Sequence, residues 1–288
     1  MPFSPTYRVS EDRRAYSLHR GPVGCLILHG FMGSPVSSRP MAEYLTQSSL
    51  TIHCPLLPGH GELPDKMYGV RHEDWIAEAE EGLETLRGRC DEIFIIGHSM
   101  GTVLGAYLAR ANVDIRGLVM LAPLYKPPSR AISMLRVLRY VMPWFYPWRI
   151  KRLQRLTRER ILDLYPDLAL DDPEVQAWLP QATRVPTGAI DEMRKVADIG
   201  RCLWPQLTLP ALLIQGEKDI AVNPGNTETI YRTLGTQDKM LHTFPRAGHE
   251  LMRPFDPVHQ EVWPLIRAFI KERTVRPAKE TEKEVDPG

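Results

Sequence analysis

One short stretch of this sequence, Gly97-His98-Ser99-Met100-Gly101, could carry a nucleophile. It matches G-x-S-x-G, a pattern in which a serine lies on a sharp turn between a strand and a helix. A strand pattern over Ile93 to Ile96 precedes the stretch, and a helix pattern over Thr102 to Ala109 follows it. The alternative interpretation is an ordinary strand-to-helix turn. The setting favours Ser99 as a residue that attacks an acyl carbon.

A serine hydroxyl attacks well only when a base removes its proton and an acid orients that base. Where this turn occurs, the acid and then the histidine follow the serine along the chain. Asp219 comes just after the predicted strand Ala211 to Gln215, and His249 just after the predicted strand Met240 to Phe244. We therefore expect His249 to exchange a proton with the serine while Asp219 fixes the imidazole.

Other residues compete for these two roles. Glu217 is the alternative acid, but it lies two residues earlier and would point away from the site if the loop continues extended. Most of the other histidines precede Ser99 or lie within predicted elements, and we interpret them as structural or solvated. They include His29, His53, His60, His72, His98, His242 and His259.

A tetrahedral intermediate needs hydrogen-bond donors for its oxyanion. One is the backbone N–H of the residue after the nucleophile, here Met100, and the other comes from the loop after an early strand. That loop begins His29-Gly30-Phe31, which gives Phe31 as the second donor. By itself the same stretch could be a plain glycine turn.

Apolar runs alternate with helix patterns along much of the chain, which predicts a mostly parallel sheet with helices on both faces. Ligands of such sheets bind at the carboxyl ends of the strands. The predicted strands are Val23–Leu28, Leu50–Cys54, Glu92–Ile96, Leu118–Leu121, Ala211–Gln215 and Met240–Phe244. The predicted helices are Ser38–Thr46, Glu73–Arg89, Met100–Ala111, Asn226–Leu234 and a last one that ends near Glu272.

The strand rhythm stops between 126 and 206, where proline and tryptophan are frequent. We interpret this part as a helical cap inserted into a core made of residues 1–125 and 207–273. Residues 274–288 are charged and almost free of apolar side chains, which predicts a disordered tail.

The motifs resemble those of the α/β-hydrolases, and in particular the branch of bacterial carboxylesterases and monoacylglycerol lipases. The resemblance covers about Val23 to Pro123 and Leu209 to Glu272, and the predicted cap is longer than is usual in that branch. The matching features are His29-Gly30-Phe31-Met32-Gly33-Ser34-Pro35, Pro58-Gly59-His60-Gly61, Asp74-Trp75, Gly97-His98-Ser99-Met100-Gly101, and Asp219 followed by Val222-Asn223-Pro224-Gly225-Asn226.

This resemblance implies an α/β-hydrolase fold with Ser99, Asp219 and His249 as a catalytic triad. It implies Phe31 and Met100 as oxyanion donors, and no metal or organic cofactor. Cleavage of carboxylic esters is the leading hypothesis. A thioesterase or acyltransferase with the same triad, and a non-catalytic scaffold, are the alternatives, whereas epoxide hydrolases and dehalogenases need a carboxylate where Ser99 stands.

The predicted cap is basic at its start. Residues 129–160 hold nine arginines and lysines and one acid, Glu159, beside an apolar helix face and an aromatic cluster at 144–148. Such a helix can lie on an anionic membrane surface. In the other interpretation the apolar face covers the active site and the cations are solvated or paired with acids. Either interpretation favours an apolar, lipid-like ester as the substrate.

Composition limits the other function classes. The chain has 36 lysines and arginines against 35 aspartates and glutamates, so its overall charge does not favour nucleic acid. Its four cysteines form no C-x-x-C pair, which disfavours zinc and dithiol chemistry. No secretory signal or membrane-length apolar run is recognisable. We expect a cytoplasmic protein, and the oligomeric state stays open.

Overall fold

A computed structural model describes residues 13–126, 137, 139–254 and 257–274. Seven strands form one sheet in the order β1-β3-β2-β4-β5-β8-β9. Its strands are β1 (Tyr16–Leu18), β2 (Val23–Leu28), β3 (Leu50–Cys54), β4 (Glu92–His98), β5 (Ile115–Leu121), β8 (Ala211–Gly216) and β9 (Lys239–Phe244). All neighbouring pairs are parallel except β1 with β3.

Helices cover both faces of this sheet. Neighbouring residues of a strand point to opposite faces: in β4, Ile95 lies under Gly105 of one helix, and Phe94 packs against Phe269 of another. The core helices are α1 (Arg39–Thr46), α2 (His72–Arg87), α3 (Met100–Ala111), α7 (Gly225–Thr233) and α8 (His259–Arg273). Because α2 packs against α3 and α1 against α8, these two pairs lie on opposite faces. The predicted α/β-hydrolase architecture is confirmed.

The chain between β5 and β8, called the insert below, is mainly helical where it is described. It holds α4 (Gln154–Leu164), α5 (Pro173–Ala182) and α6 (Thr187–Leu203), together with the short antiparallel pair β6 (Trp144–Phe145) and β7 (Val185–Pro186). A small apolar cluster of its own includes Ile161, Val175 and Leu179. Most of the predicted apolar helix face at 131–142, and the predicted tail beyond 274, lie outside the described residues.

The structure extends the predicted elements at several points. The edge strand β1 was not predicted, since three residues paired antiparallel to β3 leave no apolar run to recognise. Strand β5 begins at Ile115, three residues before its predicted start. Among the described residues, no helix is both long and apolar enough to cross a membrane.

Candidate active site

The predicted site lies where the strand order reverses. Strand β2 pairs with β3 on one side and with β4 on the other, so the connections after β2 and β4 leave the sheet in opposite directions. Such switch points open a crevice at the carboxyl ends of the strands. Here the two chain segments that leave the strand ends almost touch, because a Cβ atom on Gly30 would lie 3.1 Å from Cβ of Ser99.

Ser99 occupies the sharp turn between β4 and α3. Its φ of 51° is rare for a residue with a side chain and carries a conformational cost. Close packing enforces the turn: a Cβ atom would lie 2.5 Å from the Thr102 Cα if placed on Gly97, and 2.1 Å from the Leu28 carbonyl oxygen if placed on Gly101. Both positions therefore require glycine, and the half-buried serine side chain stands at the rim of the sheet.

Asp219 and His249, which are 30 residues apart, are hydrogen-bonded to each other. Nδ1 of His249 lies 2.7 Å from Oδ2 of Asp219, and both side chains are buried. The N–H groups of Ala221 and Val222 donate to Oδ1 of Asp219 at 2.8 and 2.9 Å. Burial raises the pKa of this carboxyl, but His249 and the two N–H groups outweigh burial and lower the pKa below its usual value. The carboxylate is thus ionised at neutral pH and holds one imidazole nitrogen.

A second side chain supports this carboxylate from strand β8. Nε2 of Gln215 donates to Oδ2 of Asp219 at 3.1 Å, and the hydroxyl of Thr227 donates to Oε1 of Gln215 at 2.7 Å. Gln215 is fully buried, so its amide is ordered by these bonds. The alternative acid, Glu217, is exposed and lies outside the network.

His98, the residue before Ser99, holds the backbone of the histidine loop. Its Nε2 donates to the carbonyl oxygen of His249 at 2.9 Å, and the two imidazole rings lie 4.7 Å apart. Burial, followed by the charge of His249, lowers the pKa of His98 to about 4. The ring of His98 is therefore neutral at pH 7, which suits its donor role.

Ser99 and His249 lie at the same sheet edge, but no hydrogen bond joins their side chains in the described part of the chain. His98, the residue directly before the serine, contacts both the backbone and the ring of His249. Catalytic hydrogen bonds are often long before substrate binds and tighten in the complex. The geometry therefore places a potential base, His249, beside a potential nucleophile, Ser99, without the hydrogen bond along which the proton would pass.

The Phe31 loop is fixed by His29. The N–H of Leu57 donates to Nε2 of His29 at 3.2 Å, so Nδ1 carries the proton and donates to the Gly30 carbonyl at 3.0 Å. Burial, followed by His60, lowers the pKa of His29 well below its usual value and keeps the ring neutral. The N–H of Gly33 donates to the same carbonyl at 2.9 Å. In a trans peptide the C=O and N–H point in opposite directions, so a fixed Gly30 carbonyl fixes the N–H of Phe31.

Two further motifs from the sequence pack behind this loop. The ring of Phe31 lies 6.1 Å from that of His60 and 6.0 Å from that of Trp75, both edge-on. The indole of Trp75 donates to the carbonyl of Pro58 at 3.0 Å. The Pro58-Gly59-His60-Gly61 stretch and Trp75 thus pack against the side chain of Phe31, the candidate oxyanion donor. The other predicted donor, Met100, is the first residue of α3, and the leading N–H groups of a helix have no partner within it.

Within the described ranges, two groups of side chains bring potential metal ligands together. One is His98, His249 and Glu250; the other is His72, Glu73 and Glu192. In the first, His98 and His249 are held by the bonds given above, and Glu250 is ion-paired with Arg160. In the second, Lys195 pairs with Glu192 at 2.7 Å. Cations already neutralise the carboxylates in both groups, so neither supports a metal step.

Sequence reasoning missed three supporting side chains: His98, Gln215 and Glu250. The first two leave no recognisable pattern, because their partners are a distant backbone carbonyl and a neighbouring carboxylate. Glu250 had one available signal, its place directly after His249, but its partner lies 90 residues away.

Comparison with known proteins gives matches along most of the chain. A family model described as serine aminopeptidase, S33, matches residues 23–256. A thermostable monoacylglycerol lipase from Bacillus sp. (strain H-257) is 28% identical over 256 residues, covering 88% of this chain and 93% of the relative. A carboxylesterase from Bacillus subtilis (strain 168) is 26% identical over 255 residues, covering 87% of this chain and 94% of the relative.

Solved structures agree at the level of the fold. The structure of a metagenome-derived lipolytic enzyme superposes with a TM-score of 0.75 at 24% identity, covering 92% of this chain and 100% of the other. That likeness supports the same sheet and helix arrangement in both proteins.

Proposed function

The chain belongs to the serine aminopeptidase S33 family of the α/β-hydrolases, and we propose that it hydrolyses carboxylic esters of apolar acyl chains. The enzyme class is a carboxylesterase or monoacylglycerol lipase that forms an acyl-enzyme on Ser99. The observation that carries the proposal is the buried 2.7 Å hydrogen bond between His249 and Asp219, at the sheet edge where Ser99 lies on its strained turn.

The proposed reaction has two halves. Nε2 of His249 takes the hydroxyl proton as Oγ of Ser99 attacks the ester carbon, and Asp219 stabilises the resulting imidazolium. The N–H groups of Phe31 and Met100 would stabilise the oxyanion. The imidazolium then protonates the leaving alcohol as the C–O bond breaks. In the second half His249 deprotonates a water molecule that attacks the acyl carbon, and it then returns this proton to Oγ of Ser99 as the bond between Oγ and the acyl carbon breaks and the carboxylic acid leaves.

An apolar acyl chain fits the surroundings of the Phe31 loop. Phe31 and Met32 pack against Val185, Ala189 and Ile190 of the insert. Residues 126–206 would on this basis act as a cap that shields an acyl chain from water. The names of the two bacterial relatives support the same substrate class.

Ser99→Ala is the direct test. We expect it to abolish hydrolysis of p-nitrophenyl esters and monoacylglycerols, and labelling by a fluorophosphonate probe, with the melting temperature retained. The same assay should include matched thioesters, acceptor alcohols and aminoacyl anilides, which report thioesterase, acyltransferase and aminopeptidase activity. Ester turnover that survives in Ser99→Ala, or faster turnover of another substrate class, contradicts the proposal.

We also propose that the insert contacts anionic membrane surfaces. Val137, Tyr140, Val141 and Met142 are between 58% and 80% exposed. Further along the insert, four exposed cations have no carboxylate within 4.0 Å among the residues with described positions: Arg149, which lies over the ring of Tyr146, and Lys151, Arg152 and Arg158. Exposed apolar side chains together with cations that lack a carboxylate partner suit an interface of anionic lipid.

Co-sedimentation with vesicles tests this contact. We expect binding to phosphatidylglycerol vesicles but not to phosphatidylcholine vesicles, weakened at least about tenfold when Lys151 and Arg152 are both changed to Glu. Arg232→Glu, which reverses an exposed cation on α7 of the core, is the control and should bind as the wild type does. Equal binding by all three proteins would refute the proposal.

A cytoplasmic location is the last part of the proposal. All four cysteines are free thiols, and two of them, Cys25 and Cys54, are buried. Free thiols in this number support a reducing compartment. Fractionation of cells that produce the protein is the test, and recovery outside the cytoplasm would count against it.

A further inference from the structure

Four charged side chains form a buried network beside His249. The carboxylate of Glu250 accepts from Nη2 of Arg160 at 2.5 Å and from Nε of Arg253 at 3.1 Å. Arg253 also pairs with both carboxylate oxygens of Asp163. The side chains are 5% to 13% exposed. Two cations and two anions alternate, so the network carries no net charge.

This network joins two parts of the chain that are distant in sequence. Arg160 and Asp163 lie on α4 of the insert, whereas Glu250 and Arg253 lie in the loop after β9. That loop also carries His249, the residue directly before Glu250. The insert is thus held to the loop of the candidate base by buried, directional ion pairs.

Stability alone is a weak explanation for such a network. The cost of desolvating buried charges offsets most of their attraction, and apolar side chains of similar size often stabilise a protein as well or better. What a chain of hydrogen-bonded ion pairs does supply is a fixed geometry. Burial raises the pKa of Glu250, but the charges of Arg160 and Arg253 outweigh burial and lower it, so the carboxylate stays ionised at neutral pH.

We propose that Glu250 is a positioning residue, and that its pairing with Arg160 lets helix α4 hold His249 in the orientation needed to take the proton of Ser99. This inference rests on the proposed function. Among the residues that the structure describes, three other groups bond to His249: Asp219 holds its Nδ1, His98 holds its carbonyl and lies against its ring, and Leu251 donates to the same carbonyl at 3.1 Å. These groups lie outside the insert. Two ion pairs link the histidine loop to α4, Glu250–Arg160 and Arg253–Asp163, and only the first involves the residue directly next to His249.

The test compares Arg160→Met, Glu250→Gln and the double variant. Each single change leaves three charges, and hence one unbalanced buried charge, whereas the double variant keeps the neutral Arg253–Asp163 pair. We therefore expect both single variants to lose melting temperature and the double variant to recover at least half of that loss. If the Glu250–Arg160 pair positions His249, kcat for p-nitrophenyl acetate stays about 10-fold to 100-fold below wild type in the double variant, even though the Arg253–Asp163 pair is retained. KM should change little, because this short ester does not depend on the insert.

A purely structural role gives a different result. In that case kcat recovers together with the melting temperature, and a double variant with wild-type kcat overturns the inference. Arg155→Met is the matched control, because Arg155 also lies on α4 and pairs with Glu159 but is 82% exposed; its kcat should equal that of wild type. Full turnover in the double variant with an inactive Ser99→Ala overturns only this inference, whereas an active Ser99→Ala overturns the proposed function and the inference together.

Discussion

The two carboxylate oxygens of Asp219 accept hydrogen bonds from four donors. Replacing one of these oxygens by an NH2 group therefore tests whether the site needs the negative charge. In Asp219→Asn the new NH2 group either faces Nδ1 of His249, which must donate, or faces the N–H groups of Ala221 and Val222. The first orientation favours the wrong imidazole tautomer, and the second sets the NH2 group against the two N–H donors. Neither orientation supplies the negative charge that stabilises the imidazolium. We expect kcat to fall about 10²-fold to 10⁴-fold with little change in KM.

Steady-state kinetics on p-nitrophenyl butyrate measures this effect. Glu217→Gln is the control, since Glu217 is the acid two residues earlier and its side chain is exposed. It should retain the wild-type kcat. A larger loss in Glu217→Gln than in Asp219→Asn would transfer the proposed role to Glu217.

Single residues also show how far the sequence could predict this site. The order of the residues along the chain and their places after strands were enough to select Ser99, Asp219 and His249 as candidates. The tautomer of His29 and the donor role of His98 depend on a Leu57 N–H and on a carbonyl 151 residues away. Such long-range polar contacts leave no periodicity in the sequence, so both histidines were interpreted as structural or solvated.

At the level of elements, the distance between helix α3 and strand β2 is set by one glycine. A Cβ atom on Gly101 would lie 2.1 Å from the carbonyl oxygen of Leu28, a backbone atom that cannot rotate away. Gly101→Ala must therefore push the helix off the sheet at the turn that carries Ser99. We expect the free energy of unfolding to fall by at least about 1–3 kcal/mol, with loss of ester turnover.

Urea unfolding, monitored by tryptophan fluorescence, gives the free energy. Gly188→Ala in α6 is the matched control, because a Cβ atom there meets nothing within 4 Å. In a helix that change should be neutral or stabilising by up to about 1 kcal/mol. Similar losses in the two variants would show that close packing at Gly101 is not what the turn requires.

Strands of the sheet could be predicted from the sequence more precisely than helices of the insert. Parallel strands buried on both faces appear as continuous apolar runs, so β2 and β3 were predicted with their observed bounds. The helices α4, α5 and α6 were predicted only together, as a helical cap. Prolines begin or interrupt the pattern in α5, as Pro173 and Pro180 do. In α6, by contrast, the buried residues Ala189, Ile190, Val196 and Ala197 recur at helical spacing, so that helix had a pattern in the sequence.

On the scale of the whole molecule, buried carboxylates should make stability fall at acid pH. The pKa values of Asp219 and Glu250 are both lowered in the folded chain, so at acid pH the folded chain binds fewer protons than the unfolded chain does. Each group therefore stabilises the fold above its unfolded pKa of about 4. That contribution is lost as pH falls through the folded value. Each of these carboxylates steepens the fall, because the unfolded chain takes up its proton at a higher pH than the folded chain does.

Glu250→Gln isolates one of these contributions. The variant is less stable than wild type at pH 7, but it lacks one carboxylate that must be protonated, so its stability should fall less steeply between pH 5 and 3. The slope should be smaller by up to about 1.4 kcal/mol per pH unit, and the two stability curves should converge at low pH. Urea unfolding at a series of pH values measures both slopes. Because buried pairs are screened weakly, the convergence should persist at high salt; parallel curves would mean that Glu250 has the same proton affinity in the folded and unfolded chain.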